Sequence, residues 1–192
     1  MNYPGPAVTY NPMTLPTFME DWGTLGGKNV CVAVLLWHPY GGSLATVTRK
    51  DDGNKACLPG GKCDTRDYAA RGRCPRTREV LAAAAARELC EETGVDRAMD
   101  SFAFLWGTSD YGDGTKFTAT MWAMPRDDAT FEQTVNLKGE EGTRAMWLTP
   151  AALVVDTHVR PDGHCIYPAS GAFPDYYRKL FDAIGVRSVP SC

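Results

Sequence analysis

The apolar residues of this chain fall into blocks separated by glycine and proline. Residues 29–37, NVCVAVLLW, form an unbroken apolar run rich in β-branched side chains and bounded by His38-Pro39 and Gly41-Gly42. A run of that length between turn residues predicts a buried strand, and SLATVTRK after the Gly-Gly turn predicts its hairpin partner. A CLPGGK turn and a polar segment lead to EVLAAAAARELCEETG at residues 79–94. Its alanine run and its Leu, Glu and Arg content predict a helix that Gly94 ends as a C′ residue. SFAFLWGTSDY and KFTATMWAMP predict two strands joined by Gly112-Asp113-Gly114, and AMWLT a short fifth strand. Pro150 is placed to open a helix, and FPDYYRKLFDAIG sets Tyr176, Leu180 and Ile184 at helical spacing.

Strands on both sides of one strongly marked helix, with another helix near the C-terminus, predict an α+β domain, an α/β/α sandwich with a mixed sheet between helices. Residues 1–27, with Pro4, Pro6, Pro12 and Pro16 and ending in Gly26-Gly27, read as an irregular arm, leaving 28–192 as a single domain. A chain of 192 residues with 44% hydrophobic content is long enough for one good core.

Charge and cysteine usage narrow the classes of partner. Twenty basic residues against 23 acidic ones give a net charge of -3, which makes no general case for nucleic acid or an anionic membrane. No stretch reaches the roughly 20 apolar residues of a membrane span, and the N-terminus has no signal core, so a cytoplasmic protein is expected. The seven cysteines form no CxxC pair and fit reduced thiols. His38, His158 and His164 show no paired spacing and receive no role.

Candidate chemistry lies on the helix. At 100° per residue, Glu91 falls about 60° to one side of Glu88 and Glu92 about 40° to the other, so the three carboxylates share a face. Ala82, Ala86 and Leu89 form a separate, small apolar face. Crowded carboxylates repel, and a hard divalent cation such as Mg²⁺, held by one or two of them with waters and substrate phosphates, would compensate. Gly60 and Gly61 upstream allow backbone to approach a metal or phosphate without a Cβ in the way. Arg87 is four residues before Glu91 and within reach of it, and Glu79 suits the positive end of the helix.

The stretch from Glu79 through Arg87-Glu88-Leu89-Cys90-Glu91-Glu92-Thr93-Gly94-Val95, led in by Leu58-Pro59-Gly60-Gly61, resembles the Nudix box. The family pattern is Gly, five residues, Glu, seven residues, Arg-Glu-aliphatic-any-Glu-Glu-any-Gly-aliphatic. Here 17 residues separate Gly61 from Glu79, which implies an insertion of about twelve; loop closure tolerates such length. The resemblance implies a Nudix fold over roughly residues 29–148 and hydrolysis of a diphosphate bond. It also implies Mg²⁺ or Mn²⁺ on Glu91 and Glu92, Glu88 as ligand or general base, a carbonyl from Gly60 or Gly61, and a further glutamate, Glu141, from a loop before AMWL.

The segment 62–78 carries six basic and two acidic residues, a local +4, and could steer polyphosphate through Lys62, Arg71 and Arg73 or be only a solvated loop. Cys63 and Cys74 bracket it. Tyr111 stands where the resemblance places a tyrosine in dinucleoside polyphosphate hydrolases. The expected activity is metal-dependent hydrolysis of a nucleoside diphosphate linked to another moiety, with nucleoside triphosphates or dinucleoside polyphosphates as first candidates. The alternatives are action on RNA 5′ ends or caps, and a catalytically silent nucleotide- or RNA-binding module. Nucleic acid is not the favoured partner, no membrane is expected, and monomer and homodimer stay open.

Overall fold

The computed structural model describes residues 29–49, 55–64, 66–67, 77–108, 116–124, 131–154 and 173–186. The arm at 1–27, the turn at 112–114, Arg71, Arg73, Cys74 and Tyr111 lie outside these residues.

Strand β1 (Asn29–Leu35) pairs in parallel with β5 (Lys116–Ala123), which pairs antiparallel with β4 (Phe102–Thr108), giving a mixed sheet of order β1-β5-β4. A second, antiparallel sheet has the order β3-β2-β6, from β2 (Leu44–Thr48), β3 (Ala56–Cys57) and β6 (Ala145–Leu148). The expected hairpin between the first two strands is formed at its turn end and does not continue along β1. The two runs meet at the Trp37–Leu44 bridge, through the His38 N–H, which donates to the Ser43 carbonyl at 2.8 Å, and through the Ala45 N–H, which donates to the Leu36 carbonyl at 2.9 Å. The reason lies at the edges of β1, both of which are taken. One holds β5. On the other, the Val32 N–H donates to the Gly61 carbonyl (2.9 Å), the Val34 N–H to that of Pro59 (2.8 Å), and the Cys63 N–H to that of Val30 (2.9 Å).

Alternation along β1 divides the core in two. Val30, Val32, Val34 and Leu36 pack with Leu81, Ala85 and Leu89 of helix α1 (Thr77–Thr93), while Ala33 and Leu35 pack with Leu180 and Phe181. The latter pair belong to the last helix. Two short helices, α2 (Phe131–Val135) and α3 (Pro150–Leu153), precede it, and α4 (Pro174–Ala183) closes the far side. At about 1.5–3 kcal/mol for each fully buried large aliphatic or aromatic side chain, this two-sided burial holds β1 firmly at the centre. The alanines of α1 let that helix lie close to the sheet, and Gly94, at φ +70°, ends it with its N–H bonded to the Cys90 carbonyl at 2.9 Å. Among the described residues, no helix is long and apolar enough to cross a membrane.

Candidate metal and phosphate site

The strand-like path of residues 59–63 along β1 delivers the two glycines to the glutamate face of α1. Gly60 adopts φ +156°, and a Cβ there would lie 2.1 Å from the Val32 carbonyl oxygen. A Cβ on Gly61 would lie 2.4 Å from Glu88 Oε1. Any side chain at either position would displace backbone or the carboxylate, so the close approach itself requires glycine. The Gly60 N–H donates to Glu92 Oε2 at 2.7 Å and ties the loop to the last turn of the helix.

Glu88 and Glu92 sit in low-dielectric surroundings. Glu88 is buried, and burial pushes its carboxyl above the usual carboxylate range, the Arg87 hydrogen bond opposing this and Glu91 adding to it. Burial pushes Glu92 to about 7; the Gly60 N–H opposes the shift, and the charges of Glu88 and Glu140 add to it. Glu140 belongs to a loop that docks on the end of α1 through the Lys138 N–H, which donates to the Thr93 carbonyl at 2.8 Å. Glu141, the glutamate expected from this loop, lies exposed in the adjoining turn, and it is Glu140 whose charge bears on Glu92.

Arg87 organises the outer half of the site. Its Nε donates to Asp67 Oδ1 (3.0 Å), Nη1 to Glu88 Oε1 (2.7 Å) and Glu91 Oε2 (3.0 Å), and Nη2 to Asp67 Oδ2 (3.0 Å) and the Lys62 carbonyl (2.9 Å). Five N–H groups thus meet five acceptors. The Asp67 bond is the largest reason that the guanidinium holds its proton far above the ordinary arginine range.

The structure brings Glu88, Glu92, Gly60, Gly61 and Arg87 together. Glu91 is turned outward, its side chain 45% exposed between Arg87 and, at 3.6 Å, Arg66. The Lys62 side chain is exposed, and its carbonyl, not its amine, meets Arg87. The Gly61 carbonyl already accepts the Val32 N–H. Glu79 is exposed on the first turn of α1, about 13 Å along the axis from Glu88 and on the opposite side of the helix, so the helix keeps it from the cluster. Cys63 is a free thiol whose burial pushes its pKa to about 12. Sequence reasoning misses Asp67, which is 3% exposed, because it lies among the six basic residues of 62–78. The available signal was an interval, since five residues separate Gly61 from Asp67, as the Nudix pattern has between its glycine and its acid.

The arrangement fits a hard divalent cation. Two partly or fully buried carboxylates with raised proton affinity face a loop whose backbone comes as close as van der Waals contact allows. Among the described residues no three His, Cys, Asp or Glu side chains are gathered at one point as if for a metal ion. A cation of the magnesium type needs only one or two carboxylates beside water and phosphate oxygens.

A mixed sheet between helices, with a glycine loop against a glutamate helix, defines the Nudix class. The NUDIX domain model matches residues 27–169, and this chain belongs to that family of pyrophosphohydrolases. A solved structure of MutT, from a study of the Aliivibrio salmonicida and Vibrio cholerae proteins, is 18% identical, with 81% of this chain and 98% of that one aligned at a TM-score of 0.50, and shares the fold. A MutT/nudix family protein from Enterococcus faecalis is 18% identical over 62% of this chain and 43% of its own, at a TM-score of 0.44. A bifunctional NMN adenylyltransferase/ADP ribose pyrophosphatase from Francisella tularensis, complexed with AMP and a manganese ion, is 15% identical over 71% of this chain and 40% of its own, at a TM-score of 0.42. No curated protein matches the chain.

Proposed function

We propose that this enzyme hydrolyses the diphosphate bond of a nucleoside diphosphate linked to another moiety, using Mg²⁺ or, in its place, Mn²⁺. Nucleoside triphosphates and dinucleoside polyphosphates are the first substrates to try. The observation that carries the reading is the pair Glu88 and Glu92, both with raised proton affinity, set against two glycines that admit no side chain. Glu92 would hold the cation, with Glu91 and the Gly60 carbonyl as further oxygen ligands and Glu140 or Glu141 contributing charge from the facing loop. When bound, the cation neutralises phosphate oxygens and acidifies water.

The remaining steps belong to side chains of this protein. Glu88 takes the proton of the attacking water on the oxygen that Arg87 leaves open, a role that its burial, by raising its affinity for a proton, suits. The Gly60 N–H holds Glu92 in place. Water adds to one phosphorus, the bridging P–O bond breaks, and the leaving phosphate departs as the anion, so no covalent intermediate on the protein is needed. Lys62, Arg71, Arg73 and Tyr111 would contact the substrate.

The test is a nucleotide screen with Mg²⁺ or Mn²⁺ for phosphate or nucleotide release, followed by Glu92→Gln. Turnover of the best substrate should drop about 10²–10⁴-fold in the variant. Unchanged turnover would remove the glutamate face from the reaction.

A further inference from the structure

With the insertion between Gly61 and Glu79, Glu79 is the acid of the glutamate-box pattern. The structure gives that position to another residue. Asp67 follows Gly61 after five residues, and 19 residues then separate it from Arg87 where the pattern has seven, so the same twelve extra residues fall after Asp67 instead of before Glu79. Both Asp67 carboxylate oxygens take an Arg87 N–H at 3.0 Å, and the carboxylate is nearly fully enclosed. The acid is itself preset, because the Asp64 N–H donates to Oδ2 at 2.8 Å and the Asp67 N–H to the Asp64 carbonyl at 3.1 Å. Glu79 lies eight residues before Arg87 on one continuous helix, about 12 Å along its axis, and cannot make such a pair.

We infer that Asp67 is a positioning residue: through its two-point grip on Arg87 it holds Glu88 at the cation site and Glu91 on the rim beside it, taking the place that the sequence pattern offered to Glu79. The fork of a guanidinium is rigid, so fixing its Nε edge on Asp67 fixes where Nη1 meets Glu88 and Glu91. The first residues of the insertion-bearing segment are then part of the catalytic scaffold, and the chain is lengthened only beyond the point where the grip is made. The inference rests on the proposed use of the glutamates, and it extends that reading to the residue that holds them.

Two readouts test it: turnover of the best substrate, and Mn²⁺ affinity from the electron paramagnetic resonance signal of free Mn²⁺. Asp67→Asn should lower kcat and Mn²⁺ affinity each about 10- to 100-fold with KM changed less than about threefold. Asp67→Glu, which keeps the charge, should recover part of both, and serves as the measurement if Asp67→Asn does not fold. On an Arg87→Lys background, adding Asp67→Asn should cost less than about threefold more, because the lysine has already broken the two-point grip. The inference is overturned if Asp67→Asn and Asp67→Glu both keep wild-type Mn²⁺ affinity and kcat, or if Glu79→Gln carries the loss instead. Glu92→Gln separates the two levels of the argument: if it loses both readouts while the Asp67 variants keep theirs, only the positioning role fails, and if it too keeps them, the cation reading falls with it.

Discussion

Glu92 is the residue at which the electrostatics of the site become measurable without a substrate. Burial lifts its carboxyl to about 7 in the folded chain from the 4.5 of an ordinary glutamate. Between those two pH values the folded state binds more protons than the unfolded state, so the stability that Glu92 contributes is complete below about 4.5 and is lost as pH rises through about 7. In the presence of a chelator, the urea midpoint should therefore fall across this window, by an amount corresponding to roughly 1–3 kcal/mol, and Glu92→Gln should flatten the decline. A wild-type midpoint that stays level or rises from pH 4.5 to 7 would show that the carboxylate is not held in a desolvated place. At the same scale, Arg87 spends all five N–H groups on protein acceptors, so its work is the ordering of carboxylates. Lysine, with three donors and no fork, would leave part of that set without a partner.

At the scale of elements, the loop that carries Gly60 is fixed from three directions: by β1 at its edge, by Glu92 from α1, and by α4. The last contact is the Leu58 N–H donating to the buried Tyr177 hydroxyl at 2.9 Å. Tyr177→Phe should leave that N–H unsatisfied and lower stability by about 1–3 kcal/mol, read from chemical denaturation; a loss below about 0.3 kcal/mol would mean that the bond contributes nothing. Local signals made much of this architecture legible in the sequence. The alanine run and Gly94 marked α1, and alternation and turn residues marked β4, β5 and β6. Pairing between strands was less legible. The first apolar run and SLATVTRK are sequence neighbours, which suggested a hairpin, whereas the edge of β1 is filled by residues 59–63 and its other edge by β5, a choice made by distant backbone groups. For the same reason the spacing that pointed to Glu79 did not reveal that it lies exposed on the first turn of α1, across the helix from Glu88, while Asp67 was hidden among basic neighbours.

For the molecule as a whole, a cation that binds only the folded chain must stabilise it. At a free Mn²⁺ concentration 100 times Kd the gain should be about 2.7 kcal/mol, reversed by chelation, and Glu92→Gln should lose most of it. A denaturation curve unmoved by saturating Mn²⁺ and Mg²⁺ would contradict the proposed ligands. The family match ends at residue 169, yet α4 begins at Pro174 and supplies Leu180 and Phe181 against Ala33 and Leu35, together with the Tyr177 hydroxyl. A polypeptide trimmed to the matched span would retain every residue of the box and still surrender one wall of its interior, exposing the back of the central strand to water. The boundary of the recognisable motif is thus narrower than the boundary of the unit that must fold to hold it.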